Sequence, residues 1–211
     1  FLDIKNYITK LDSPKLLEWL NVHAFSEGEK GLTWSVNIAK FNAYFNRSLF
    51  IDSSFIDENI TNYHKYSDLL SKKVKTDFFA GEEFLFFIVE SLLTQDFSTR
   101  NIIISIIILE NAVLKDFHEF HLRLWLIQLY TLVNCHSQAR VHYGTLKIKE
   151  IQHDIFDHYL ISRIGSLLPN YDEFLRDLVA KYDKIEGETI YHNKVGYNKA
   201  AFNKLQGIIE F

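Results

Sequence analysis

The chain has 211 residues, 47% of them hydrophobic and 24% charged, with a formal net charge of −4; this is the profile of a folded globular protein and not of a disordered one. The slight acidity argues against a phosphate-neutralising face, and the best basic cluster, Lys72, Lys73 and Lys75 in SKKVKTD, is small enough to read as a solvated helix end. Two prolines, eight glycines and one cysteine leave little punctuation and no internal disulfide, so an all-α fold in a reducing compartment, cytosol or nucleus, is expected.

Taken in chain order, Ser13 followed by Pro14 makes an N-cap with proline at the first helical position and starts a helix through PKLLEWLNVHAF. Trp34, Ile38, Phe41 and Phe45 form a helical stripe in TWSVNIAKFNAYF, and Ile56, Ile60 and Tyr63 form another. GEEFLFFIVESLL carries Glu82 and Glu83 in its first turn, where acids complement the helix dipole. Next comes NIIISIIILE, residues 101–110, whose apolar runs cover only residues 102–104 and 106–109. A bilayer span needs roughly twenty apolar residues, so this is no membrane helix. Its β-branched residues favour a buried strand, the following ENAVLKD favours a helix, and periodicity alone leaves both open.

A repeat decides between them. A shift of about 34 residues, the period of the tetratricopeptide repeat, sets Ser105 over Ala139, Leu109 over Tyr143 and Ala112 over Leu146. Each triplet marks one face of a helix. In the second unit LWLIQLY supplies Leu126 and Tyr130, with Tyr130 at the motif's spacing before Ala139. The isoleucine run is therefore expected to be the buried second helix of one hairpin, and HEFHLRLWLIQLYTLV the first helix of the next. Carried forward, the period meets Leu160 and Ile164 acceptably but then Glu173 and Asp177; carried back, it meets Ser71 and Lys75. PNYDEFLRDLVAKYDK after Pro169 and the terminal NKAAFNKLQGIIEF read as closing helices. With no linker rich in Pro, Gly or Ser, residues 1–211 read as one continuous tetratricopeptide-like helical-hairpin solenoid. The clearest repeats lie over 98–168, and the pattern is degenerate over 1–95. A start on Phe1, no methionine and an end in GIIEF mark the chain as an expected excerpt of a longer one.

Catalytic motifs are sparse. HDIFD, with His153 and Asp157, matches the H-x-x-x-D of one acyltransferase class, in which the His is a general base, but those enzymes carry it on a two-lobed α/β fold. His118 and His121 in HEFH could place two imidazoles on one side of a helix, although zinc needs further ligands. Cys135 and His136 are neighbours and would point about 100° apart on a helix, so they read as a capped or loop position between hairpins. No glycine lies two residues from another, which excludes G-x-G-x-x-G, and no phosphate-cradling loop is present. Asn46 in NRS and Asn59 in NIT are formal glycosylation sequons.

Residues 120–167, FHLRLWLIQLYTLVNCHSQARVHYGTLKIKEIQHDIFDHYLISRIGSL, resemble the auxiliary, non-catalytic subunit of the N-terminal acetyltransferase B (NatB) complex. The likeness rests on the leucine-rich helix ending in Leu129 and Tyr130, on the hairpin to Leu146 and on IQHD, which ends at Asp154. YNKAAFNKLQGIIEF at residues 197–211 and the opening FLDIKNYI are similar to further family stretches, while the family favours Gly in the hairpin turn where this chain has Asn134.

The resemblance implies a cytoplasmic, ribosome-associated scaffold of helical hairpins that holds a small catalytic acetyltransferase near the nascent chain. It implies acetylation of N-termini beginning Met-Asp, Met-Glu, Met-Asn or Met-Gln by that partner. Acetyl-coenzyme A and the catalytic groups would belong to the partner, leaving this chain with no catalytic, cofactor or metal residues. No sequence-specific nucleic acid or membrane contact is implied. Within the resembling segment, Gln152, His153, Asp154 and Arg163 are the candidates for partner contact, with a polar network between hairpins as the alternative. Leu109, Ala112, Leu126, Tyr130, Ala139 and Tyr143 are assigned to packing. A generic helical-repeat peptide-binding adaptor is the alternative function, and an enzyme using His153 a third.

Overall fold

The computed structural model describes residues 13–22, 27–75, 77–149, 152–161 and 172–200. They form α1 (Ser13–Val22), α2 (Gly28–Phe45), α3 (Ser53–Tyr66), α4 (Glu82–Gln95), α5 (Thr99–Lys115), α6 (Phe120–Leu132), α7 (His136–Thr145), α8 (Gln152–Ile161) and α9 (Asp172–Asn198), with 3-10 turns at Arg47–Ile51 and Ser67–Lys72. No strand occurs among the described residues, so the all-α expectation holds. The opening FLDIKNYI, residues 201–211 of the closing NKAAFNKLQGIIEF, Arg163 and Ile164 lie outside the described residues. No helix among those described is long and apolar enough to cross a membrane.

Local chemistry sets the helix starts. Asp52 caps α3 by accepting from the Ser54 amide, Ser98 caps α5 by accepting from the Asn101 amide, and Glu119 caps α6 by accepting from the His121 amide. Each satisfies a backbone donor that the first turn leaves without a helical partner. Between α6 and α7 the chain turns through Asn134 at φ 62°. That left-handed conformation is disfavoured for most L-residues and tolerated by Asn, which accounts for Asn at a turn where Gly would also serve.

The helices alternate between two layers. In the first, Lys40 of α2 pairs with Glu83 of α4 at 2.5 Å, Phe86 of α4 stacks on Trp125 of α6 at 6.0 Å, and Phe120 of α6 meets Phe156 of α8 edge-on at 5.1 Å. In the second, Lys115 of α5 lies over the Tyr63 ring of α3, and His142 of α7 bonds Glu110 of α5 at 2.9 Å. α5 is thus the second helix of a hairpin with α4, and α6 the first helix of the next, as the repeat predicts. Leu109, Ala112, Leu126 and Ala139 are all buried, with Ser105 buried beside them. Leu126 belongs to the main core, whereas its neighbour Ile127 packs with Ala139 and Leu160 in a second cluster, so α6 joins two cores. The Trp34, Ile38, Phe41 and Phe45 stripe of α2 packs with Leu20 of α1.

Three expectations are corrected. The inward face of α3 is Phe55, Asn59, Tyr63 and Tyr66, and Ile60 is exposed; Asn59 tolerates burial because its amide donates to the Phe55 carbonyl at 2.7 Å. Glu82 and Glu83 do stand in the first turn of α4, with Glu82 1% exposed. Lys73 is withdrawn from the basic cluster into an ion pair with Asp116. Tyr130 and Tyr143, assigned to packing alone, also carry hydrogen bonds to Glu110 and Asp157. The degeneracy of the repeat has a structural origin: the 3-10 turn at Ser67–Lys72 and the following loop displace α3 from the period. In α9 the buried position is Leu178, one residue beyond Asp177.

Leu109→Ala is expected to lower stability by about 2–5 kcal/mol, because the side chain is fully buried in the main core and its loss leaves a void there; denaturant unfolding of the two proteins reads the difference. At the turn, Asn134→Gly is expected to be nearly neutral and Asn134→Val to cost about 1–2 kcal/mol, checked by the same measurement.

Candidate functional site

Two polar joints cross the helix layers. At the first, Glu110 of α5 accepts from the Tyr130 hydroxyl of α6 at 2.6 Å and bonds His142 Nε2 of α7 at 2.9 Å. Arg123 of α6 donates through Nη1 to His142 Nδ1 and through Nε and Nη2 to the Phe117 carbonyl. That assigns the His142 proton to Nε2, facing Glu110. Burial lowers the Arg123 pKa from its usual value, partly offset by Glu110, and raises that of Tyr130, reinforced by its bond to Glu110. Charge, hydrogen bonds and the stack of Tyr130 on His142 at 5.6 Å fix three successive helices in one register.

The second joint centres on Asp157 of α8. It accepts from Tyr143 of α7, bonds His153 Nδ1 one turn earlier at 2.9 Å and accepts from Tyr182 of α9 at 3.2 Å. Burial and the bond to Asp157 raise the Tyr143 pKa, favouring its neutral donor form. A cavity of about 170 Å³ beside it is lined by Arg140, Gly144, Leu160 and Lys181 among others. His153 and Asp157 are therefore brought together as the H-x-x-x-D spacing allows, but Asp157 is engaged by three helices, an arrangement that fixes positions. Gln152 is exposed and its side chain accepts from the Lys149 amide, closing the start of α8. The Asp154 side chain and Arg163 lie outside the described residues.

The remaining motifs separate. His118 lies in the turn before α6 against Phe117, while His121 bonds Glu119 at 2.7 Å, so the two imidazoles have different partners. Cys135 is exposed at the N-cap of α7 and His136, buried, opens that helix, which matches a capping position between hairpins. Burial lowers the His136 pKa, with Arg140 adding to the shift.

Two features have no counterpart in the sequence reading. Glu82, Asp116 and Glu119 are buried with a carboxylate oxygen from each within 4.8 Å of the others, and the cation placed among them is the Lys73 ammonium, paired with Asp116. Burial, then Glu119 and Asp116, push Glu82 up to about 9. The other is the outer face of α5, where Ile103, Ile107 and Leu114 are exposed. Beside them a groove of about 290 Å³ runs between α3 and α5, lined by Ile60, Ile108, Asn111 and Lys115 among others. Branched aliphatics repeated along one exposed helix face are the usual signature of an interaction surface.

The family described as the N-acetyltransferase B complex (NatB) non-catalytic subunit matches over residues 1–211. The chain is 30% identical over 159 residues to the N-terminal acetyltransferase B complex subunit MDM20 of Saccharomyces cerevisiae, covering 72% of this chain and 20% of that protein. It is 29% identical over 178 residues to the N-terminal acetyltransferase B complex subunit arm1 of Schizosaccharomyces pombe, covering 75% of this chain and 22% of that protein. It thus spans about a fifth of the length of these relatives.

Asp157→Asn is expected to destabilise the chain by about 1–3 kcal/mol, since the carboxylate accepts from several donors and the amide presents only one acceptor atom to them. Tyr143→Phe should cost less, and the double variant should cost less than the sum; a double-mutant cycle in urea measures the coupling.

Proposed function

Because the chain belongs to the family of non-catalytic subunits of the N-acetyltransferase B complex, we propose that it is a segment of a scaffold that binds and positions the catalytic acetyltransferase. The observation that carries the reading is the family match over residues 1–211. It is supported by a stack of helices whose polar groups lock neighbouring helices and by an exposed aliphatic face on α5 that a protein partner would cover. In this reading the catalytic subunit supplies acetyl-coenzyme A binding and the acid–base groups. The scaffold contributes by holding the partner in one productive geometry near the ribosome, in the cytoplasm, for co-translational acetylation of Met-Asp, Met-Glu, Met-Asn and Met-Gln N-termini. Gln152 and His153 stay candidates for partner contact at the edge of the Asp157 joint, with Asp154 and Arg163 alongside them in sequence.

A peptide-binding adaptor without a dedicated enzyme is the second reading, favoured by the groove between α3 and α5. Affinity purification of the full-length protein from its own cell extract, with mass spectrometry and an acetylation assay on a Met-Asp peptide, separates the two. A small acetyltransferase in near one-to-one ratio, with activity following it, is the expected result. Recovery without any acetyltransferase would remove the scaffold reading and leave the adaptor.

A further inference from the structure

We propose that the corner where α4 meets the α5–α6 turn is closed by a proton held between the Glu82 carboxyl and the Asp116 carboxylate, which makes the joining of these two hairpins depend on protonation. The argument starts from the groups that face one another. Glu82 opens α4, Asp116 follows α5 and Glu119 caps α6, each buried. Facing them, Lys73 at the end of the preceding 3-10 turn pairs with Asp116 and donates to the Asp77 carbonyl, and His121 of α6 bonds Glu119. Tyr63 of α3 is close enough that Glu82 and Asp116 reinforce the rise that burial causes in its pKa. Glu83 and Lys40 act on His121 from the flank, with opposite signs.

Three carboxylates therefore meet two cationic partners, and both partners are committed to Asp116 and Glu119. An ionised Glu82 would leave Oε2 buried with no hydrogen-bond partner, the costliest arrangement for such a group. A protonated Glu82 turns that oxygen into a donor to Asp116, while Lys73 balances Asp116 and a charged His121 balances Glu119. Geometry and charge then close together. The rise of Glu82 to about 9, led by burial, and the rise of His121, led by its hydrogen bond to Glu119, have the same directions.

The sign of the pH dependence follows. In the unfolded chain Glu82 ionises near its ordinary value of 4.5, and in the folded chain near 9, so unfolding releases a proton between those limits. The site's contribution is complete below the lower limit and falls as pH rises to the upper one. Glutamine mimics the neutral acid and has no proton to release.

The test is denaturation of the intact protein and its Glu82→Gln variant from about pH 5 to about pH 10, together with infrared spectroscopy at neutral pH. Taking the ratio of the two folding constants removes the pH dependence of groups that do not interact with Glu82. That ratio, wild type over variant, is expected to fall about tenfold per pH unit and to level off near the upper limit. A protonated-carboxyl band present in the wild type is expected to vanish in Glu82→Gln. A ratio independent of pH, absence of the band, or failure of Glu82→Gln to fold would overturn the proposal. So would a rise in wild-type stability with calcium, magnesium or manganese that a chelator reverses, since a metal ion would then be the missing counter-charge.

Discussion

The burial of α5 is the constraint on which the other helices depend. Its Leu109 is fully enclosed and its Ala112 and Ser105 leave room for close approach, so α4 and α6 can both lie against it while α3 and α7 flank it in the second layer. β-Branched residues are only moderate helix formers, because the branch restricts χ1 against the preceding turn. Burial outweighs that cost: at about 25 cal/mol per Å² of apolar surface, one enclosed Ile or Leu side chain contributes roughly 1.5–3 kcal/mol against a propensity loss of a few tenths. The same chemistry that makes the run look like a strand lets it serve as a helix covered on several sides.

Apolar burial is non-directional, however, and leaves the register between helices loose. The Glu110 and Asp157 joints supply direction. Each gathers partners from two other helices, and each bond is made in a setting where an unmade one would be expensive. Arg123 illustrates the requirement: its guanidinium is almost wholly buried, and it is accommodated by the Phe117 carbonyl, the His142 ring nitrogen and the face of Phe117 at 4.5 Å. The polar residues of the stack thus specify which helix faces meet, and the apolar ones make the meeting favourable.

How much of this is legible in sequence follows from separation along the chain. Leu109, Leu126 and Ala139 are legible because their spacing is local or repeats with a fixed period. His153 and Asp157 are legible as a pair because they lie one helical turn apart, and Asn134 as a turn because a left-handed residue between two helices favours Asn or Gly. Tyr182 as a third partner of Asp157 is not legible, since it lies 25 residues away on another helix with no periodic relation to it. The buried carboxyl of Glu82 is hidden for the same reason: a first-turn acid reads as solvated until the α5–α6 turn is brought over it. Ile60 was misplaced by a single position, because the α3 stripe accepts an asparagine where an aliphatic was expected.

That asparagine has a further consequence. Asn59 begins the sequence Asn-Ile-Thr, which reads as an acceptor for an N-linked glycan, yet its side-chain nitrogen is bonded to the Phe55 carbonyl in the interior of α3. A sugar attached to that nitrogen would force a bulky hydrated group between packed helices. The native fold and glycosylation at Asn59 are mutually exclusive: the folded chain shields the residue from modification, and a chain modified there before folding could not complete this core.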